Sequence, residues 1–273
     1  MNAGALPHPA ASWVDAVSIR VVPHAAALRA AARKPVMLLG ETHDDAAGHR
    51  WQLHVSAGLM ALGDPVAMGF EMFPRRVQPV LDLWVDGGLS AEAFLDQVGW
   101  SRVWGFPAEL YWPLFHFCRE MRVPMRALNC ERPLVSKVGR LGWDAIEETE
   151  REGITPARPA SDSYRRYLHA ITRRAPLPGR FASPDAPEFD RFVRAQQTWD
   201  RAFACAIADT LKELPGHRVI GTIGRGHLEH GYGTPFQLDD LGVESSVLLP
   251  TREASFTPGT PDAIADLVFR LDD

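Results

Sequence analysis

Val36-Met37-Leu38-Leu39-Gly40-Glu41-Thr42-His43-Asp44-Asp45 decides how this chain reads. Five apolar or small residues run straight into an acid, a hydroxyl, a histidine and two more acids. Lys34-Pro35 fixes where the run starts. This is the pattern of a short buried strand that stops abruptly and leaves a charged cluster at its carboxyl end. In open parallel sheets ligands bind at that edge. Any strand that delivers complementary groups to the same edge therefore bears on function.

Two more stretches do so. Val66-Ala67-Met68-Gly69-Phe70-Glu71 is a second apolar strand running into a lone glutamate, with Pro74 stopping it. Arg218-Val219-Ile220-Gly221-Thr222-Ile223-Gly224 leads to Arg225-Gly226-His227. Between and around them, helical spacing covers 24–33, 46–62, 76–84, 91–97, 109–121 and 133–140. Asp44 or Asp45 is placed to cap the second of these. The segment 123–128 reads as another strand and 244–249 as the last. The longest helical pattern is 189–214, where Phe192, Gln196, Trp199, Phe203, Ile207, Leu211 and Leu214 step by three and four. The stretch 261–271 reads as a final helix. Residues 153–188 are rich in proline and arginine. They carry one helical island at 164–172 and a long loop at 175–187, a length typical of lids or disorder.

Strands alternating with helices predict an α/β fold with a mainly parallel central sheet flanked by helices. The boundaries expected are an N-terminal tail over 1–23 and one domain over 24–273.

The chain of 273 residues carries a net charge of −5 and 46% hydrophobic residues, enough for a substantial core. A pI near 6.1 argues against a nucleic-acid partner. Three widely spaced cysteines without a C-x-x-C favour buried free thiols over a disulfide framework. No transmembrane span, signal peptide or twin-arginine signal is visible, so a cytoplasmic location is expected.

Glu41, His43, Glu71 and His227 should meet at one sheet edge. Both histidines lie in a Gly-x-x-His tetrad, Gly40-Glu41-Thr42-His43 and Gly224-Arg225-Gly226-His227. Two histidines and two carboxylates suit a divalent metal such as Mn, Co or Zn. They suit equally well metal-free acid/base work on an ester or amide. Gln196 and Asp200, on the long helix, are placed to line the same site. The aromatic segment 100–117 reads as core, and its surplus of rings would also suit a planar apolar ligand.

Gly40-Glu41-x-His43-Asp44, Gly69-Phe70-Glu71-Met72-Phe73-Pro74, Trp104-Gly105-Phe106, Ala127-Leu128-Asn129, Ala195-Gln196-x-x-Trp199-Asp200 and Gly224-x-Gly226-His227 together resemble the ChaN-like haem-binding family. That family lies within the superfamily of Tiki/TraB-like proteases and erythromycin esterases. The resemblance implies an α/β fold with a helical subdomain, at about 75–217, and a role in haem binding and iron uptake. It also implies a tyrosine iron ligand and paired haems in a homodimer. Tyr111 and Tyr232 are the candidate ligands, with Arg225 and Gln196 as further haem-binding candidates. The protease and esterase branches imply the alternative, a hydrolase acting on a peptide or ester through Glu41, His43, Glu71 and His227, with or without a metal. The partner expected is thus haem, or a small-molecule or peptide substrate.

Overall fold

A computed structural model describes residues 6–174, 181–256 and 263–272. Among the described residues lie ten strands: β1 (Leu6–Pro7), β2 (Trp13–Asp15), β3 (Arg20–Val22), β4 (Val36–Glu41), β5 (Val66–Pro74), β6 (Met125–Asn129), β7 (Arg218–Gly224), β8 (Ser245–Thr251), β9 (Ser255–Phe256) and β10 (Leu267–Arg270). Eight of them form one sheet in the order β3-β2-β10-β8-β4-β7-β5-β6. From β10 to β6 every neighbouring pair is parallel, while β2 and β3 add an antiparallel edge. The remaining two, β1 and β9, pair with each other.

The opening stretch behaves as its composition dictates. All six residues of β4 are buried, because helices cover both faces of a parallel sheet. β4 sits at the centre, between β8 and β7, with Glu41 opposite Gly224 in register. One face of the sheet packs on the helices around 46–120, where Phe70, Phe73, Trp84, Phe94, Tyr111 and Phe115 fill the larger core. The other face packs on helix Pro187–Glu213 through Phe203, Ala204 and Ile207, which meet Leu38, Val219 and Ile223. Cys118, Cys130 and Cys205 are buried and free.

Three sequence expectations change. The stretch assigned to a tail supplies β2 and β3, whose Trp13 and Val14 are buried. The final helix expected over 261–271 is instead β10 at Leu267–Arg270, paired with β8 and β2, and 261–262 lie outside the described residues. Within the aromatic loop a short helix forms at Trp100–Val103. Among the described residues of 75–217 the regular elements are helices joined by loops, apart from β6, which returns to the sheet. Of the loop expected at 175–187, residues 175–180 lie outside the described residues. Among the described residues no helix is long and apolar enough to cross a membrane.

Candidate functional site at the carboxyl edge of the sheet

The ladder between β5 and β7 ends at Phe70 opposite Thr222. Glu71 is the next residue, and its Oε2 accepts a hydrogen bond from the Gly224 backbone N–H. Glu71 is thereby anchored across the strand gap. Asn129, at the end of β6, donates its amide to the Glu71 backbone carbonyl at 2.7 Å. Gly224 has to be glycine: a Cβ there would lie 2.8 Å from His43 Cε1 and 3.2 Å from Glu71 Oε2. The side chains of β4, β5 and β7 thus reach one spot, as the three sequence stretches predict.

Around Glu71 stand two histidines, each backed by a buried carboxylate. His43 Nδ1 is 2.8 Å from Glu41 Oε1. Glu41 also accepts from the Tyr111 hydroxyl at 3.0 Å and from Gln52 Nε2 at 3.3 Å. Trp104 Nε1 in turn donates to the Tyr111 hydroxyl at 3.1 Å. The His43 ring packs edge-on to Trp104 and against Phe106, at centroid distances of 4.8 and 5.0 Å. On the other side His227 Nδ1 is 2.8 Å from Asp200 Oδ1. Asp200 also accepts from the Tyr164 hydroxyl at 2.6 Å and from Thr234 Oγ1 at 3.2 Å. Gly233 lets Asp200 close in, since a Cβ there would sit 2.6 Å from Asp200 Oδ1 and 2.5 Å from the His227 carbonyl.

The centre is therefore two matched tyrosine–carboxylate–histidine chains that converge on Glu71. Each carboxylate is fully buried and fully hydrogen-bonded, the condition for keeping such groups in a core. With each Nδ1 hydrogen-bonded to a carboxylate, Nε2 is the nitrogen left for chemistry. Burial pulls the His43 pKa down, but the Glu41 hydrogen bond and the Glu71 and Glu41 charges outweigh it and raise the group above its ordinary value. For His227 burial again opposes, and Asp200 and Glu71 overcome it, lifting the imidazole to about 9. Burial and the neighbouring carboxylates push both Tyr111 and Tyr164 up, so both phenols stay protonated donors.

Sequence reading brought Glu41, His43, Glu71 and His227 together, and the structure does the same. It does not form the metal-ligand sphere: among the described residues no three His, Cys, Asp or Glu side chains are arranged to hold an ion. Each histidine turns one nitrogen to its carboxylate, and His227 Nε2 stands 3.9 Å from Glu71 Oε1. Tyr111 is not placed as a surface iron ligand either, because it is fully buried with its hydroxyl held by Glu41 and Trp104. Arg225 is half-buried and pairs with Glu229 one turn on. Gln196 is half-buried and takes no part in the network among the described residues.

Asp200, its partner Tyr164 and the helper Gln52 carry as much of the centre as the four residues expected. Asp200 had a sequence signal, an acid beside the apolar stripe of a long helix. Tyr164 had none, since 36 residues separate it from its partner.

Beyond His227 the chain turns through His230, held at φ 60°. The His230 ring stacks on Tyr232 at 5.2 Å, and Tyr167 stands edge-on to both at 5.6 and 6.0 Å. The Tyr167 hydroxyl donates to Glu229 Oε2 at 2.6 Å. His230 Nδ1 is buried with no hydrogen-bond partner among the described residues.

Fold and centre define the class: an α/β protein whose parallel-sheet edge carries a pair of carboxylate-backed histidines. The chain belongs to the family described as haem-binding uptake, Tiki superfamily, ChaN, whose model matches residues 27–238. Among solved structures it resembles ChaN of Campylobacter jejuni, reported with cofacial haem binding. That match has 16% identity and a TM-score of 0.70, over 94% of this chain and 95% of that one. The type III effector HopBA1 is similar at 14% identity and a TM-score of 0.51, over the whole of both chains. A mutant of erythromycin esterase EreC in its open conformation matches at 11% identity and a TM-score of 0.46, over 84% of this chain and 74% of that one. Identities this low speak for the fold alone. No curated protein matches the sequence.

Proposed function

We propose that this protein binds haem and serves in haem or iron handling, with Tyr232 as the iron ligand. Family membership supports haem as the ligand. The observation that carries the placement is the group just past His227. There a half-buried phenol, a stacked imidazole with a buried nitrogen unpartnered among the described residues and a second phenol lie together at the sheet edge. Phenolate oxygen and imidazole nitrogen are the donor types that haem iron takes in proteins. Bound haem would supply the iron chemistry, and the Tyr232 oxygen would hold the iron. The chain's part is to present the Tyr232 oxygen, fix its ring against His230 and shield one face. Paired haems in a homodimer belong to the same proposal, supported by the cofacial haem binding of the Campylobacter jejuni protein.

Absorption spectra of the haemin complex test the ligand. Tyr232→Phe should move or abolish the ligand-sensitive bands while Tyr111→Phe leaves them alone. Unchanged bands in the Tyr232 variant would remove that residue from the proposal. Sedimentation with and without haemin reports the dimer, and a monomer under both conditions sinks it.

One observation favours a second reading, a hydrolase without a metal. The 3.9 Å between His227 Nε2 and Glu71 Oε1 is too long for a hydrogen bond, yet a single water oxygen beside the pair could touch both. Both histidines hold Nε2 ready while Nδ1 is fixed. Esterase and peptidase assays on wild type, His43→Ala and His227→Ala decide it. Activity equal in all three defeats this reading.

A further inference from the structure

The helices Arg132–Leu141 and Pro187–Glu213 are clamped at one point. A Cβ on Gly139 would lie 3.1 Å from the Arg191 carbonyl, and Arg194 donates to the Gly139 carbonyl through Nε and Nη2 at 3.0 and 2.8 Å. Beside that clamp the short side chains Ser136 and Ala195 leave the helices unfilled, and a cleft of about 530 Å³ opens. This volume lies within the range of small-molecule sites.

The walls and rim of the cleft differ in chemistry. Phe181, Phe192 and Trp199 give it aromatic surface, the two phenylalanine rings standing 6.0 Å apart. Arg132 and Arg191 line the cleft beside one acid, Glu188. Arg132 uses one donor on the Val103 carbonyl at 3.3 Å, and its planar fork has further N–H groups to give. Half-buried rings in a concavity lined by two arginines and one acid match a flat apolar body that carries an anion. The cleft is also joined to the sheet edge, because the Trp199 ring stands edge-on to His227 at 6.4 Å.

We propose that this cleft is a binding site for an aromatic carboxylate, its ring system against Phe181, Phe192 and Trp199 and its carboxylate on Arg132 and Arg191. The site is independent of iron ligation at Tyr232, so haem binding there stands or falls separately. Selectivity comes from the two guanidiniums, since an uncharged arene of the same shape meets the same apolar walls without a charge-assisted partner. Occupancy is sensed through Trp199, the ring shared with the polar centre.

The test is fluorescence titration of the full chain with 1-pyrenecarboxylate, read as energy transfer from tryptophan, with uncharged 1-pyrenemethanol as control. Saturable binding of the acid, tighter than the alcohol by about tenfold or more, is expected. The double variant Arg132→Glu/Arg191→Glu should remove that preference. Ser136→Phe keeps both charges but fills the cleft, and should block both probes. Trp199→Phe should reduce the transferred signal without abolishing binding. Equal affinity for acid and alcohol, binding of the acid unchanged in both the double variant and Ser136→Phe, or no binding of either probe to wild type, each overturns the proposal. Thermal unfolding of each variant confirms that the fold is intact.

Discussion

Replacing Asp200 by asparagine removes one negative charge from the middle of the second chain of hydrogen bonds. Asp200 is fully buried and takes three donors, Tyr164 at 2.6 Å, His227 at 2.8 Å and Thr234 at 3.2 Å. An amide of the same shape can accept through one oxygen only, and its NH2 group faces a donor. Breaking a buried charge pair in this way costs roughly 3–5 kcal/mol. Part of that cost is tied to a proton. The imidazole of His227 is raised from 6.5 to about 9 in the folded protein. A raised folded value means that the contribution is fully present below pH 6.5 and is lost as pH rises through about 9. The gap corresponds to on the order of 3 kcal/mol. The assay is urea unfolding of wild type and Asp200→Asn at pH 6 and pH 10. The variant should lose most at pH 6, and the difference should shrink to about 1.5–3 kcal/mol at pH 10, where neutral donors to the Asp200 carboxylate still distinguish the two but the ion pair with His227 does not. An equal loss at both pH values, or a His227 signal that titrates at 6.5 in wild type, refutes the reasoning.

Other outcomes follow from the same geometry. Gly224→Ala should lower the thermal midpoint by the equivalent of about 1–3 kcal/mol, because the new methyl group meets His43 Cε1 at 2.8 Å; an unchanged midpoint contradicts the packing. Tyr111→Phe leaves Trp104 Nε1 without its acceptor and Glu41 short of one donor. It should cost about 1–3 kcal/mol in denaturant unfolding, and a loss below about 0.5 kcal/mol would mean the chain is not needed. Arg252→Ala removes the bidentate partner that holds the Asp45 carboxyl below its usual range, so the Asp45 pKa followed by NMR should rise. No movement of Asp45 would contradict that assignment.

The edge of the sheet was legible because strand and chemistry share the same residues. A buried run such as Val36–Gly40 is local, and the acid that ends it announces itself. The cap of the next helix was legible for the same reason, with Asp45 accepting from Ala47 N at 3.0 Å. Partners far apart in the chain were not. Tyr111 meets Glu41 across 70 residues and Tyr164 meets Asp200 across 36, and neither spacing leaves a mark in sequence. The last element was misread for a physical reason. Leu267–Arg270 has apolar residues that fit a helix as well as a strand, and the open edge of β8 decides between them. Trp13-Val14 and Val21-Val22 are strand-formers too short to be told from a tail until β10 pairs with the first and the first with the second. How the two histidines are oriented is geometry that spacing cannot convey. The residue types are right for an ion, but carboxylates turn one nitrogen of each histidine away.

The most direct measurement is an equilibrium absorption titration of the purified wild-type chain with haemin. A saturable Soret shift that ends at one haem per chain is the result expected. A change that grows linearly with added haemin, without saturation or stoichiometry, would contradict haem binding by this protein.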